Sequence, residues 1–308
     1  MEDLSQEGFG LYREREPLDM DHAKIALKTL AAMHAQCLIF EEKISSGSTS
    51  SKSPKWDKMK NFNKIEIKDL YPLTVKEIVY DKEDTDNMFT KWMNTGVYEI
   101  GNAISEVLDG YTDSERLKIK TELPKFINEL YNLSKYSHKF KNIFNQGDGW
   151  TNNFLFRYEN KKPVEARVLD YQLTRYLPPA HDFWEILYIT VNRELRERHE
   201  DELKKFYYNE LKSEMSKHGC HLENIISWES FIESCEYYRK LGMARASILL
   251  NIVLTPSEVI KKSFENIEEY EKFILNERGA YIKKCFEYED YKRRNSELFH
   301  ELIKRYIL

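Results

Sequence analysis

Asn145-Gln-Gly-Asp-Gly-Trp-Thr-Asn-Asn-Phe-Leu-Phe-Arg-Tyr158 decides how this chain is to be read. An acid, Asp148, sits in a Gly-flanked loop, and an amide, Asn153, follows five residues later. An apolar strand comes next, Phe154 to Phe156, and the turn Glu159-Asn-Lys-Lys-Pro163 reverses the chain. A return strand, Val164 to Leu169, delivers a second acid, Asp170, in Asp-Tyr-Gln. A tight hairpin of this kind brings two carboxylates and one amide to the same end.

Such a set suits kinase-type phosphoryl transfer. One Asp aligns the acceptor hydroxyl or takes its proton, while an Asn and a second Asp hold magnesium on the phosphates. Here Gln146-Gly-Asp148 is followed by four residues and Asn153, then by Asp170-Tyr-Gln. Asp and Asn crowd every turn, so the first pair by itself fits a decorated hairpin equally well. The second Asp, at the end of the return strand, is what favours the catalytic reading.

The stretches Gly147 to Phe156, Leu169-Asp-Tyr-Gln-Leu-Thr-Arg-Tyr176 and Pro179-Ala-His-Asp182 closely resemble the ecdysteroid-kinase-like (CHK kinase-like) family. That family is related to choline and aminoglycoside kinases, and the resemblance runs from Met1 nearly to Leu308. It implies a mostly helical α+β fold, the large C-terminal lobe of a protein-kinase-like fold with a small hairpin at the catalytic site. It also implies ATP and Mg2+ as cofactors and a small-molecule alcohol, ecdysteroid-like or choline-like, as substrate. By the match of motifs, Asp148 is the catalytic Asp that accepts the hydroxyl proton or aligns the hydroxyl, and Asn153 and Asp170 are the magnesium ligands. Gln146 stands where the family has His and is expected to prop the loop. Gly149 replaces an apolar residue, and Trp150 and Asn152 are assigned to loop shape. Asp182 is expected to cap the following helix, to brace the catalytic loop, or both.

Met1-Glu-Asp-Leu4 is similar to the family's piece at the hinge between the lobes. Glu2 and Asp3 are therefore placed at the nucleotide hinge. The chain is expected to begin there, with the N-terminal β lobe, its glycine loop and its Lys missing. Three readings follow: a truncated ATP-dependent kinase of a small alcohol, a catalytically inactive relative or helical binding module, and an incomplete product of a longer gene. An upstream segment with strands, a glycine loop and a Lys would separate them.

Composition narrows the classes further. The 308 residues, enough for one large domain or two smaller ones, carry 41% hydrophobic and 32% charged side chains, which suits a globular chain with a polar exterior; the resemblance implies one kinase-like domain over 1–308. The 47 basic and 52 acidic residues are interspersed without a basic stripe, which argues against a nucleic-acid partner. Cys37, Cys220, Cys235 and Cys285 lie far apart without metal-ligand spacing, so buried free thiols in a reducing, cytoplasmic setting are expected. No apolar run approaches the roughly 18 residues of a membrane span. Oligomeric state is not legible.

Along the chain, Gly8 to Pro17 is a charged connector, and Asp19 or Asp21 can cap a helix with its apolar stripe from Ile25 to Leu38. His34 on that helix is read as a satisfied core residue that can support the catalytic loop from behind. Residues 45–63, rich in Ser, Gly and Lys, form a probable flexible loop. Helices are predicted over 85–108 and 114–137, the second kinked or restarted at Pro124. The hairpin is the one clear β element, and everything after it is helical. Tyr207-Tyr208 and Tyr237-Tyr238 are assigned to the core. The tail from Lys292 is a solvated amphipathic helix.

Overall fold

A helix starts where a side chain can take an otherwise unpaired first-turn amide. Asp19 does so, accepting the His22 N–H at 3.0 Å, and α1 runs Met20–Ser45. In the computed structural model, residues 3–13, 16–49, 55, 59, 64–72, 76–77, 79–273 and 277–308 are described. Most of the loop predicted at 45–63 lies outside them. On α1 the side chains of Ala23, Leu27, Leu30, Ala31, His34 and Leu38 recur at helical spacing and are buried.

The hairpin forms as the pattern predicts, from β3 (Phe154–Glu159) and β4 (Lys162–Val168), antiparallel. Glu159 pairs with Lys162, so Asn160 and Lys161 alone make the turn, at φ 50 and 65. Both positive values are those of the hairpin turn whose twist matches the strands. Two features depart from expectation. The connector Gly8 to Pro17 contains β1 (Phe9–Leu11), which adds to the free edge of β3 with Gly10 opposite Phe156. A second sheet pairs β2 (Ile143–Asn145) with β5 (Arg175–Leu177), Asn145 opposite Arg175. The hairpin is therefore one of two β elements.

The helices that follow in chain order are α2 (Met88–Val107), α3 (Asp113–Asn128), α4 (Ala180–Thr190), α5 (Arg193–Ser216), α6 (Trp228–Val253), α7 (Ser257–Ser263), α8 (Arg278–Cys285) and α9 (Glu289–Tyr306). Pro124 does not restart α3. The helix passes through it, at the cost of the one N–H that proline lacks, and ends at Asn128, after which a single helical turn, Leu130–Leu133, follows. Gly101 of α2 makes room there, since a Cβ on it would lie 2.7 Å from Pro124 Cγ. The tail helix α9 is not solvated all round: Tyr291, Leu298, Phe299, Leu302 and Ile303 are buried. Tyr207, Tyr208 and Tyr238 are core residues, whereas Tyr237 is exposed. All four cysteines are free and buried.

The chain divides into two compact units, Met1–Glu77 with Lys135–Arg239, and Ile78–Ser134 with Lys240–Leu308. The first holds both sheets, α1, α4, α5 and every candidate catalytic residue. Among the described residues, no single helix is long and apolar enough to cross a membrane.

The turn yields a stability prediction. Lys161 has a Cβ in the left-handed region, at roughly 1–2 kcal/mol. Glycine avoids that cost but adds roughly 0.4–1 kcal/mol of freedom to the unfolded chain. Lys161→Gly is therefore expected to stabilise the protein by about 0.5–1 kcal/mol, read as a higher urea midpoint at unchanged slope.

Candidate active site

The site is built on the end of the β2–β5 sheet. Asn145 ties that sheet together, its Nδ2 donating to Leu177 O at 2.6 Å and to Ile143 O at 3.1 Å. The chain then turns at Gly147, φ 78. A Cβ there would stand 2.1 Å from the Leu173 carbonyl oxygen, so the close approach of the two loops requires glycine.

Asp182 holds the loop in place. Its carboxylate accepts the backbone N–H groups of Gln146 at 2.6 Å and Gly147 at 3.1 Å. It also accepts from His34 Nε2 at 3.1 Å and His181 Nδ1 at 3.0 Å. A carboxylate only accepts, so each of those ring nitrogens carries its proton, and His34 Nδ1 is left to accept from the Tyr207 hydroxyl at 2.6 Å. Burial, then the nearby Asp182 charge, push the Tyr207 hydroxyl well above its ordinary value, which keeps it a donor. Burial alone would raise the Asp182 carboxyl. The hydrogen bonds from His181 and His34 outweigh burial and hold it well below the usual carboxylate range. Asp182 does not cap α4: the helix starts two residues earlier at Ala180, with Pro179 in the cap position. The fixed φ of proline sets that start, and Asp182 is left in the first turn, facing the loop.

Gln146 joins the two functional loops. Its Oε1 accepts from Asp148 N at 2.8 Å, and its Nε2 donates to Leu169 O at 3.0 Å and Asp170 O at 2.8 Å. Asn153 donates through Nδ2 to the Asp148 main-chain oxygen at 2.8 Å and to its Oδ2 at 3.0 Å, and so presents Oδ1 as its acceptor. Leu169 N donates to Asn153 O at 2.8 Å, which brings the next residue, Asp170, beside Asn153. Asp170 is exposed and takes φ 55, a left-handed conformation rare for a non-glycine residue. Its carboxylate accepts long contacts from Gln172, 3.3 Å from N and 3.2 Å from Nε2. Asp148, by contrast, is buried.

This donor set suits magnesium, which takes hard oxygen ligands from one or two carboxylates and shares them with phosphate. The other cluster with ligand-like spacing, His181, Asp182 and Glu185, does not suit it. Both Asp182 oxygens already accept two donors each, and imidazole is a poor partner for magnesium.

Gly149 lies against α4, where a Cβ would be 3.2 Å from Ile186 Cγ1, so a larger apolar residue would have to push Ile186 aside. Asp3 caps the turn Leu4–Glu7, its carboxylate accepting Ser5 N at 3.1 Å, and is exposed; Glu2 lies outside the described residues. Sequence reasoning missed Arg175, whose guanidinium reaches the carbonyl oxygens of Gly147 and Leu173. The available signal was a lone basic residue directly before the apolar run Tyr-Leu-Pro-Pro-Ala, since a charge drawn into such a run needs partners.

The model of the Ecdysteroid kinase-like family matches residues 1–220, more than half of the chain and all of this site. The chain belongs to the ecdysteroid kinase-like family. Membership places it among kinase-like proteins, a family of phosphotransferases acting on small molecules. No curated protein and no solved structure matches the chain.

Asp182→Asn keeps the shape but turns donors toward donors. It is expected to cost about 3–5 kcal/mol at neutral pH, because it breaks a buried hydrogen-bonded charge. The folded carboxyl is depressed, so its contribution is complete above an unfolded value of about 3.9 and is lost as the pH falls toward the folded value. Unfolding free energies of the two proteins, read from urea titrations, should therefore converge by about 1.4 kcal/mol per pH unit below roughly pH 4. A gap as wide at pH 3 as at pH 7 would show that the charge is not its source.

Proposed function

We propose that this chain forms the large, mostly helical lobe of a protein-kinase-like fold and transfers a phosphoryl group from ATP to the hydroxyl of a small alcohol. An ecdysteroid-like sterol or a choline-like amino alcohol fits the resemblance in motifs. The observation that carries the reading is the direct bond from Asn153 Nδ2 to Asp148 Oδ2, together with the Gln146 side chain that ties Asp148 to Asp170.

Asp148 aligns the acceptor hydroxyl and takes its proton as the new bond to phosphorus forms. Its buried carboxylate accepts from Asn153 Nδ2 through Oδ2, which holds the group in place for the substrate hydroxyl. Asn153 Oδ1 and the exposed Asp170 carboxylate would hold Mg2+ on the nucleotide phosphates. That ion, when bound, offsets the charge on the transferring group. Gln146, Asp182 and His34 touch neither substrate nor metal in this scheme; they keep the loop backbone in place.

Two measurements test it. Magnesium should bind weakly to the protein alone and tightly only with ATP, because protein carboxylates by themselves hold it poorly. Tight nucleotide-independent binding would count against Asn153 and Asp170. In an ATP-consumption assay against steroid and amino alcohols, Asp148→Asn should lower turnover by about 10²–10⁴-fold with ATP affinity nearly unchanged. Asp170→Asn should weaken both. Turnover that survives Asp148→Asn would overturn the assignment.

A further inference from the structure

Arg175 opens β5, opposite Asn145, and its side chain is only 4% exposed. One terminal nitrogen, Nη1, donates to Gly147 O at 3.0 Å and to Leu173 O at 3.1 Å. Nε donates to Glu77 Oε2 at 3.0 Å. Gly147 lies between Gln146 and Asp148, and Leu173 lies three residues past Asp170. Thus a single guanidinium holds the backbone of the Asp148 loop and the backbone of the Asp170 loop at the same time.

The geometry makes this tie necessary. The two loops approach so closely at Gly147 that a Cβ would collide with Leu173 O. Two carbonyl oxygens directed into one small buried space repel each other unless a shared donor lies between them. Arg175 supplies that donor, and Glu77 supplies the opposite charge that makes burying it tolerable. A Lys carries a point charge on a flexible stem, so it cannot reproduce the planar fork that serves Glu77 and both carbonyls together. The Gln146 carboxamide forms a separate tie between the same loops, through Asp148 N and Asp170 O.

We propose that Arg175 is a positioning residue that, with Glu77 as its counter-charge, fixes the spacing between the Asp148 loop and the Asp170 loop. The proposal rests on the reading of those loops as the proton-accepting and metal-holding parts of a phosphotransferase. It assigns to Arg175 no contact with substrate or nucleotide.

The test is hydrogen–deuterium exchange on the full chain, for wild type, Arg175→Ala, Arg175→Lys and Glu77→Gln. Arg175→Ala is expected to speed exchange by about tenfold in residues 146–149 and 171–174 together, with α1 and α4 within about twofold of wild type. Arg175→Lys should keep the melting temperature close to wild type yet leave at least one of the two loops deprotected. Glu77→Gln retains the guanidinium and should give a smaller rise in the same two loops, which keeps the test valid if the alanine variant does not fold. A rise confined to one loop, a uniform rise across the first unit, or full recovery with Lys would overturn the proposal. Where wild type shows turnover, Arg175→Ala should lower kcat by about a hundredfold, the cost of a misplacement near 1 Å, with little change in the acceptor KM. A wild type that neither binds magnesium-ATP nor turns over sinks the phosphotransferase reading, while the exchange result still decides whether Arg175 ties the loops.

Discussion

The buried Asp182 carboxylate is the constraint on which the rest of the site depends. Taking a carboxylate out of water costs several kcal/mol even in a relaxed protein. Four donors converge on it, from the Gln146 and Gly147 backbone and from the rings of His34 and His181. Those donors come from α1, the catalytic loop and α4 itself, with α5 behind them through Tyr207. Each element must sit where its donor meets the anion, because an unmatched lone pair there would be left dry. The position of Asp148 follows from this rather than from its own loop. Residues 147–149 include two glycines and have little conformational preference of their own.

A second constraint acts from the hairpin side. A bond from Leu169 N to Asn153 O places those residues side by side, and the two-residue turn at Asn160 and Lys161 sets the pairing of Glu159 with Lys162, which shifts by one residue between Tyr158 and Arg157 before the strands run on to Phe154 and Val168. Asp170 then leaves the strand in a left-handed conformation, which turns its carboxylate out to solvent. Asn153 and Asp148 are buried while Asp170 is exposed. The site thus has one oxygen set by packing and one free to meet an incoming ion. That division suits a metal shared with a ligand better than a closed metal cage.

Much of this was legible because it is local. The spacing from Asp148 to Asn153, the turn, and the return to Asp170 all lie within one hairpin, where sequence separation and spatial separation agree. Helix starts were legible where a cap is written into the chain, as at Asp19, and were misread where proline sets the start, as at Pro179. Strands β1, β2 and β5 have three residues each. Three residues cannot show a period, and β1 is stabilised by a partner more than a hundred positions away. Arg175 escaped notice for the same reason, since its partners Glu77 and Gly147 become neighbours only in the folded chain. The helix break expected at Pro124 falls instead at Glu129, between the helix ending at Asn128 and the short turn Leu130–Leu133.

Gln146 shows how much of a loop one neutral side chain can hold. A neutral imidazole offers one donor and one acceptor. The carboxamide offers two donors and an acceptor, and this one makes three bonds at once, to Asp148 N, Leu169 O and Asp170 O. All three partners require the same orientation of the amide, so the side chain cannot flip without losing every bond. Support at this position also does not depend on protonation, because an amide does not titrate in the range where imidazole does. The link that Gln146 makes between the Asp148 loop and Asp170 is therefore insensitive to pH at this side chain. What must be retained at position 146 is an acceptor facing one loop and a donor facing the other, and glutamine meets that requirement without a ring.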